Sequence, residues 1–398
     1  MTALDPFTDY DIFDPEYLIN PFPTIDTIRS SECPIAHTER WGGSWLPTKY
    51  ADIVAIAQEH ELFTSRQIIV TPPPQIQFEG PYGGVAAPPI TSDPPEHHWH
   101  RRLIPPFFAP QAVAKYEQGT RDLCNSLIDG FIERGHADSA AEYAQQITVR
   151  VIATMLGVPT EMSDEFTSWV RGVLEVGLQD PKVRFASRMK ILDYFRAQID
   201  DRKVNPREND LITTLLASEV DGHKVPEDYV HGVCNLMLVA GVDTTWSSIG
   251  ASLWHLAQHP EQRQELRDDP DLWPAAIEEL LRAYAPVTMA RIVDHDTEFQ
   301  GCPMSADDGV LMSFPAANRD PDQFENPDVV DFHREHNRHV AFGAGIHRCA
   351  GSNLARLELR VALQTWLARI PDFELADPTD VTWAGGQVRG TRRALVTF

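Results

Sequence analysis

Phe342-Gly343-Ala344-Gly345-Ile346-His347-Arg348-Cys349-Ala350-Gly351 is the stretch on which the reading of this chain turns. Gly343 and Gly345 permit the backbone angles of a tight loop without a Cβ clash. Beyond Gly351 the apolar residues fall at helical spacing: Leu354, Leu357 and Val361 form one stripe, with Leu363, Trp366 and Leu367 beside it. The loop therefore delivers Cys349 close to a helix N-terminus, where free N–H groups and the helix dipole favour a thiolate. A thiolate in an apolar, glycine-walled loop is a ligand for a soft metal centre, haem iron among them. A lone cysteine is usually a small buried hydrophobe. The length of the pattern around this one sets it apart.

Composition narrows the alternatives. The chain has 398 residues, 42% of them hydrophobic, enough for a large core. Its 34 basic and 58 acidic side chains leave a formal net charge of −24. So acidic a surface argues against nucleic acid and against an anionic membrane as partners. The five cysteines are scattered, with no Cys-x-x-Cys pair, so no disulfide framework or zinc ribbon is expected. Cys-x-x-Cys-His is absent too, so any haem would be held non-covalently. Residues Met1 to Asp14 lack the basic and apolar regions of a signal peptide. The longest apolar run, Val230 to Val242, is too short to span a bilayer. A cytoplasmic protein is expected.

Working outward, Ala240-Gly241-Val242-Asp243-Thr244-Thr245 closes that apolar run with an aspartate that is costly to bury unless something uses it. Thr244 in mid-helix tends to bond back to the Ala240 carbonyl, and Gly241 weakens the helix at the same place, which predicts a bulge or kink. Glu279 and Arg282 stand three apart on a helix expected over Trp273 to Ala283, and so adjoin. In Asp93-Pro94-Pro95-Glu96-His97-His98-Trp99-His100-Arg101-Arg102, Asp93 is a candidate helix cap, and His97 and Arg101 share one face suited to carboxylates. Helices are expected over 121–134, 140–156, 166–177 and 186–202. Trp41 to Leu46 reads as hairpin material and Tyr50 to Phe63 as an amphipathic helix. The span from Arg66 to Pro95 is too rich in Pro and Gly for a regular element, yet carries Phe78 and Tyr82, which argues against plain disorder.

The loop resembles the haem-binding loop of the cytochrome P-450 family, and the other motifs follow in that family's order across residues 93 to 351. The resemblance covers essentially the whole chain. It implies a mainly α fold with small β-sheets, as one haem-thiolate domain over residues 1–398. It implies a monooxygenase using haem b, with Cys349 as iron ligand. Thr244 would donate a hydrogen bond to dioxygen, and Asp243 would belong to the proton relay. Ala240, Gly241, Phe342, Gly343 and Gly351 would line the haem, and His97, Arg101, Arg291 and His347 would hold its propionates. Glu279 and Arg282 would form a buried structural network. Phe78, Tyr82, Val239, Val287, Met289 and Val388 are the candidates for substrate contact. No residues remain for a fused flavin or ferredoxin domain, so electrons would come from a separate ferredoxin and its reductase. The soluble bacterial members are the nearest match, the terpene-oxidising ones by the Gly-Ile-His-Arg-Cys loop. A monomer acting on a small hydrophobic molecule is expected. A peroxygenase, or a non-catalytic haem-thiolate sensor or carrier, is the alternative.

Overall fold

The computed structural model describes residues 5–72, 87–208 and 210–398. Phe78 and Tyr82 lie outside these residues.

Helices dominate. In chain order they include α1 (Tyr50–Gln58), α2 (Glu96–Arg102), α3 (Glu117–Asp129), α4 (Gln145–Leu156), α5 (Ser163–Leu174), α6 (Pro181–Val204), α7 (Glu227–Gln258), α8 (Trp273–Ala283) and α9 (Ser352–Arg369). The helix expected over 140–156 begins instead with a wide π turn, Ser139–Ala144, capped by the Asp138 carboxylate. The one expected over 166–177 stops at Leu174, where Glu175 leaves helical angles, and a short turn Val176–Gln179 follows. α6 is longer than the periodicity predicts, because Asp180 caps it and Pro181 occupies its first turn.

The main sheet has strands β1 (Ile35–Thr38), β2 (Ser44–Pro47), β3 (Phe63–Thr64), β4 (Thr288–Val293) and β5 (Gly309–Ser313), in the spatial order β1-β2-β5-β4-β3. β1 and β2 form the antiparallel hairpin read from Trp41 to Leu46. Near the C-terminus β6 (Thr382–Ala384) pairs with β7 (Gly390–Arg393).

α7 is the axis of the core. It packs on α4, α5 and α9, and its Trp246 is fully buried, as is Trp366 of α9. The predicted bulge is absent: α7 runs unbroken from Glu227 to Gln258. Thr244 does bond back, its Oγ1 donating to the Ala240 carbonyl at 2.8 Å. Gly241 has a different cause from the one expected. A Cβ there would stand 2.5 Å from Cδ1 of Ile152, so glycine lets α4 approach α7. No helix among the described residues is long and apolar enough to cross a membrane.

Candidate active site

The loop before α9 is built as its glycines require. Gly343 has φ +70° and Gly345 φ +68°. A side chain on Gly345 would also run into the carbonyl oxygen of Ala57 at the end of α1. The Cys349 N–H donates to the Phe342 carbonyl at 2.8 Å, closing the loop and fixing the sulfur. α9 starts at Ser352, beyond the cysteine rather than under it.

Cys349 is accessible and opens onto the pocket that it lines together with Thr244, Met289 and Arg291. Burial pushes its thiol up, against the Gly351 N–H and the cations of Arg101, Arg348 and Arg356. The thiolate expected from the sequence is therefore not favoured by the protein alone. Desolvation outweighs the local dipoles, and a bound cation has to supply the remaining stabilisation.

The cavity collects most of the residues singled out by sequence. Phe342, Gly343, His347, Cys349 and Gly351 reach it from the loop, and Ala240, Gly241 and Thr244 from α7. Val287, Met289 and Arg291 come from the approach to β4 and from β4 itself, and Arg101 from α2. Val239 and Val388 do not stand on the wall formed by the described residues. Met237, Ala240, Gly241 and Thr244 share the inner face of α7, and Val239 lies off it, against the core. Val388 is 2% exposed and packs in the core, its backbone bridged to Val287.

The basic groups gather beside the loop. His97 is 3% exposed, and neither ring nitrogen has a hydrogen-bond partner. Its ring lies 4.6 Å from that of His347. Burial, aided by His347 and Arg101, pulls its pKa down to about 4. Arg291 is 3% exposed and donates to the carbonyl of Ala290 beside it. Burial brings it down to about 10 although Asp93 opposes the shift. Arg101 donates to the Arg348 carbonyl at 2.6 Å. Asp93 is not a helix cap: its carboxylate accepts from the Ser65 N–H at 2.8 Å and faces His347 at 3.6 Å. Ser65 Oγ lies 2.9 Å from the same His347 nitrogen. Nothing in the local sequence links Ser65 to His347, because the two meet only through β3.

A haem needs a soft axial ligand, a flat apolar slot and cations for two propionates. The residues present fit it. Cys349 faces the cavity, and Ile104, Phe108, Leu354 and Ala355 add apolar wall. Among the described residues, His97, whose ring nitrogens have no partner, and Arg291, which bonds only to the neighbouring Ala290 carbonyl, can serve an acceptor.

Asp243 is fully buried and turned away from the cavity that Thr244 lines. Arg392 of β7 donates to it at 2.7 Å and to Glu175 at 2.8 Å, and Arg171 continues from Glu175 to the surface. One carboxylate oxygen, Oδ2, has no hydrogen-bond partner. Burial pushes the Asp243 carboxyl up, while Arg392 pulls it back. Arg392 was not singled out by sequence, since no motif ties a C-terminal strand to mid-chain α7. Glu279 and Arg282 form a doubly hydrogen-bonded pair at 2.8 Å, both buried, with Arg334 and Asn337 also on Glu279.

Comparison with known proteins agrees with this geometry. The sequence profile of the family "Cytochrome P450" matches residues 132–381. The polyketide biosynthesis cytochrome P450 PksS of Bacillus subtilis is 30% identical over 92% of this chain and 93% of its own. Its solved structure superposes with a TM-score of 0.87, at 29% identity, covering 98% of this chain and 99% of that one. The vitamin D(3) 25-hydroxylase of Pseudonocardia autotrophica is 32% identical over 98% of this chain and 96% of its own. The mycinamicin IV hydroxylase/epoxidase of Micromonospora griseorubida is 32% identical over 87% of each.

Proposed function

The chain belongs to the cytochrome P450 family, a haem b monooxygenase by that membership, and from this premise we propose that it hydroxylates a small hydrophobic molecule of the terpenoid class. Electrons are proposed to come from a separate ferredoxin served by its reductase, and one haem domain is proposed to span the chain. The observation that carries the substrate reading is the wall near Thr244: Met237, Leu236, Val287 and Met289 are apolar, and Pro89 and Ile90 complete it from the proline-rich span. The named substrates of the relatives differ in chemistry, so the substrate class rests on this wall and not on them.

When bound, the haem supplies the activation of dioxygen. The protein's share is positioning, exclusion of water and proton delivery. In this proposal Cys349 would hold the haem iron through its sulfur, and its N–H bond to the Phe342 carbonyl fixes the residue in the loop. His97, Arg101, Arg291 and His347 orient the propionates, with Asp93 and Ser65 fixing the His347 ring. Thr244 would offer its hydroxyl to the reacting oxygen from the cavity wall. Its one proton is donated to the Ala240 carbonyl, which leaves the oxygen lone pairs free to accept a proton and pass one on. Asp243 is proposed to bring that proton by turning from Arg392 toward the cavity. Its unpartnered Oδ2 and raised carboxyl pKa support this.

The test is the spectrum of the reduced protein under carbon monoxide, followed by titration of the ferric form with terpenoids, fatty acids and small aromatics. A strongly red-shifted Soret band and tight terpenoid binding are expected. A histidine-like band would overturn the axial assignment, and a preference for fatty acids would overturn the substrate class.

A further inference from the structure

Glu278 precedes the buried Glu279 on α8, yet it takes no part in that residue's network. It turns toward the cysteine loop. Arg356 of α9 grips it with two hydrogen bonds, Nε to Oε1 at 2.6 Å and Nη2 to Oε2 at 2.8 Å. His339 lies on the same carboxylate, Nε2 to Oε2 at 3.1 Å. The Ala341 N–H donates to His339 Nδ1 at 3.2 Å, so Nδ1 is the acceptor and Nε2 carries the proton. Glu278 thus ties together the chain entering the loop and the helix leaving it. Burial raises its carboxyl, but Arg356 and His339 together bring it down to about 2, so the carboxylate persists at neutral pH.

The cation so held has a defined target. The Arg356 guanidinium carbon lies 4.5 Å from the centre of the Phe342 ring, while the His339 ring lies 6.1 Å from it. Phe342 lines the cavity and its carbonyl accepts the Cys349 N–H. Arg356 therefore reaches the cysteine through the Phe342 ring and backbone.

Resting on the haem-thiolate reading, we infer that Arg356 is a positioning residue that, locked by Glu278, sets how much electron density the Cys349 sulfur gives to its metal. Arg356 pulls density toward itself, and Glu278 offsets part of that pull. Removing either partner then moves the reduction potential in opposite directions, which a merely structural pair would not do.

The experiment uses the haem-loaded full chain with Arg356→Gln, Arg356→Lys and Glu278→Gln. Four quantities are read: haem content, the band of the reduced carbon monoxide form, the reduction potential by dye-equilibrated titration, and Tm. Arg356→Gln is expected to lower the potential with haem content unchanged. Arg356→Lys, which keeps the charge, is expected to restore most of it. Glu278→Gln, which leaves the cation uncompensated, is expected to raise it. Equal shifts in Arg356→Gln and Arg356→Lys would overturn the inference, as would potentials unchanged in all three proteins. Where Arg356→Gln fails to fold, the remaining two variants decide: a potential for Glu278→Gln at or below wild type overturns it. Absence of a thiolate band in the unsubstituted protein would instead sink the reading beneath it.

Discussion

The two sides of the cavity are built on different principles. The cysteine side is one contiguous loop whose residues answer to backbone geometry. Gly345 has no room for a side chain against Ala57, and the Cys349 N–H needs the Phe342 carbonyl. The substrate side is collected from far-apart segments, Pro89 and Ile90, Met237 of α7, Val287 and Met289, whose requirement is apolar shape. A loop with fixed backbone demands tolerates almost no change, whereas an apolar wall can be recut residue by residue. The difference explains how relatives about 30% identical share one fold while carrying names with unlike substrates.

The cysteine side should therefore break outright. Cys349→Ser is expected to abolish the thiolate band completely while leaving far-ultraviolet circular dichroism intact. A surviving red-shifted band would assign the ligand elsewhere. Behind the loop, Arg282→Leu removes the doubly hydrogen-bonded cation from the buried Glu279 carboxylate and leaves Arg334 as its partner. A loss of about 3–5 kcal/mol in a denaturant titration is expected, because one partner of a buried ion pair is gone. A loss below about 1 kcal/mol would mean that the pair behaves like a surface contact.

Thr244→Ala probes the boundary between the two sides. Substrate binding should be kept, because the apolar wall is untouched. Reducing equivalents should be diverted severalfold toward peroxide, read as the ratio of NAD(P)H consumed to product formed. Unchanged coupling would remove Thr244 from the proton path.

Legibility followed the same divide. The loop, α9 and the Glu279–Arg282 pair were readable because their partners are near in sequence or governed by a period. The dominance of helices was readable for the same reason. What escaped came from long-range pairing. Arg392 meets Asp243 across 149 positions, and Ser65 meets His347 across 282. The direction of the Cys349 shift also escaped, since burial is a tertiary quantity that a helix-terminus argument does not contain. Asp93 looked like a cap from its neighbours, yet its carboxylate is claimed by Ser65.

The propionate cluster yields a prediction with a sign. His97 has a folded-state pKa of about 4, below the ordinary 6.5. Its unfolded form binds a proton first, so its contribution is fully present above about pH 6.5 and is lost as pH falls toward 4. His255 is lowered to about 4 as well, so haem-free protein should lose stability on acidification through both. Haem should remove the His97 part and that of His347, which burial also lowers, because a propionate beside either ring favours its charged form. The check is Tm against pH with and without haem. His97→Asn should reduce the haem-dependent component, and a haem effect undiminished by it would move the propionate away from His97.

The smallest effects should appear on the substrate side, where a control on the same helix is at hand. Met237 and Val239 are both apolar and two residues apart on α7, yet successive positions turn by about 100°. Met237 thus lies near Ala240, Gly241 and Thr244 on the cavity face, while Val239 packs on the core. Met237→Ala should change the substrate dissociation constant by a few-fold up to about a hundredfold, the range for a lost apolar contact in a binding pocket. Val239→Ala should leave that constant alone and lower Tm instead, because it removes two methyl groups from packing. Spectral titration and a melting curve on the two proteins separate the effects. If Val239→Ala shifted binding as far as Met237→Ala does, the inner face of α7 would be wrongly drawn, and the substrate wall would have to be rebuilt around Val239.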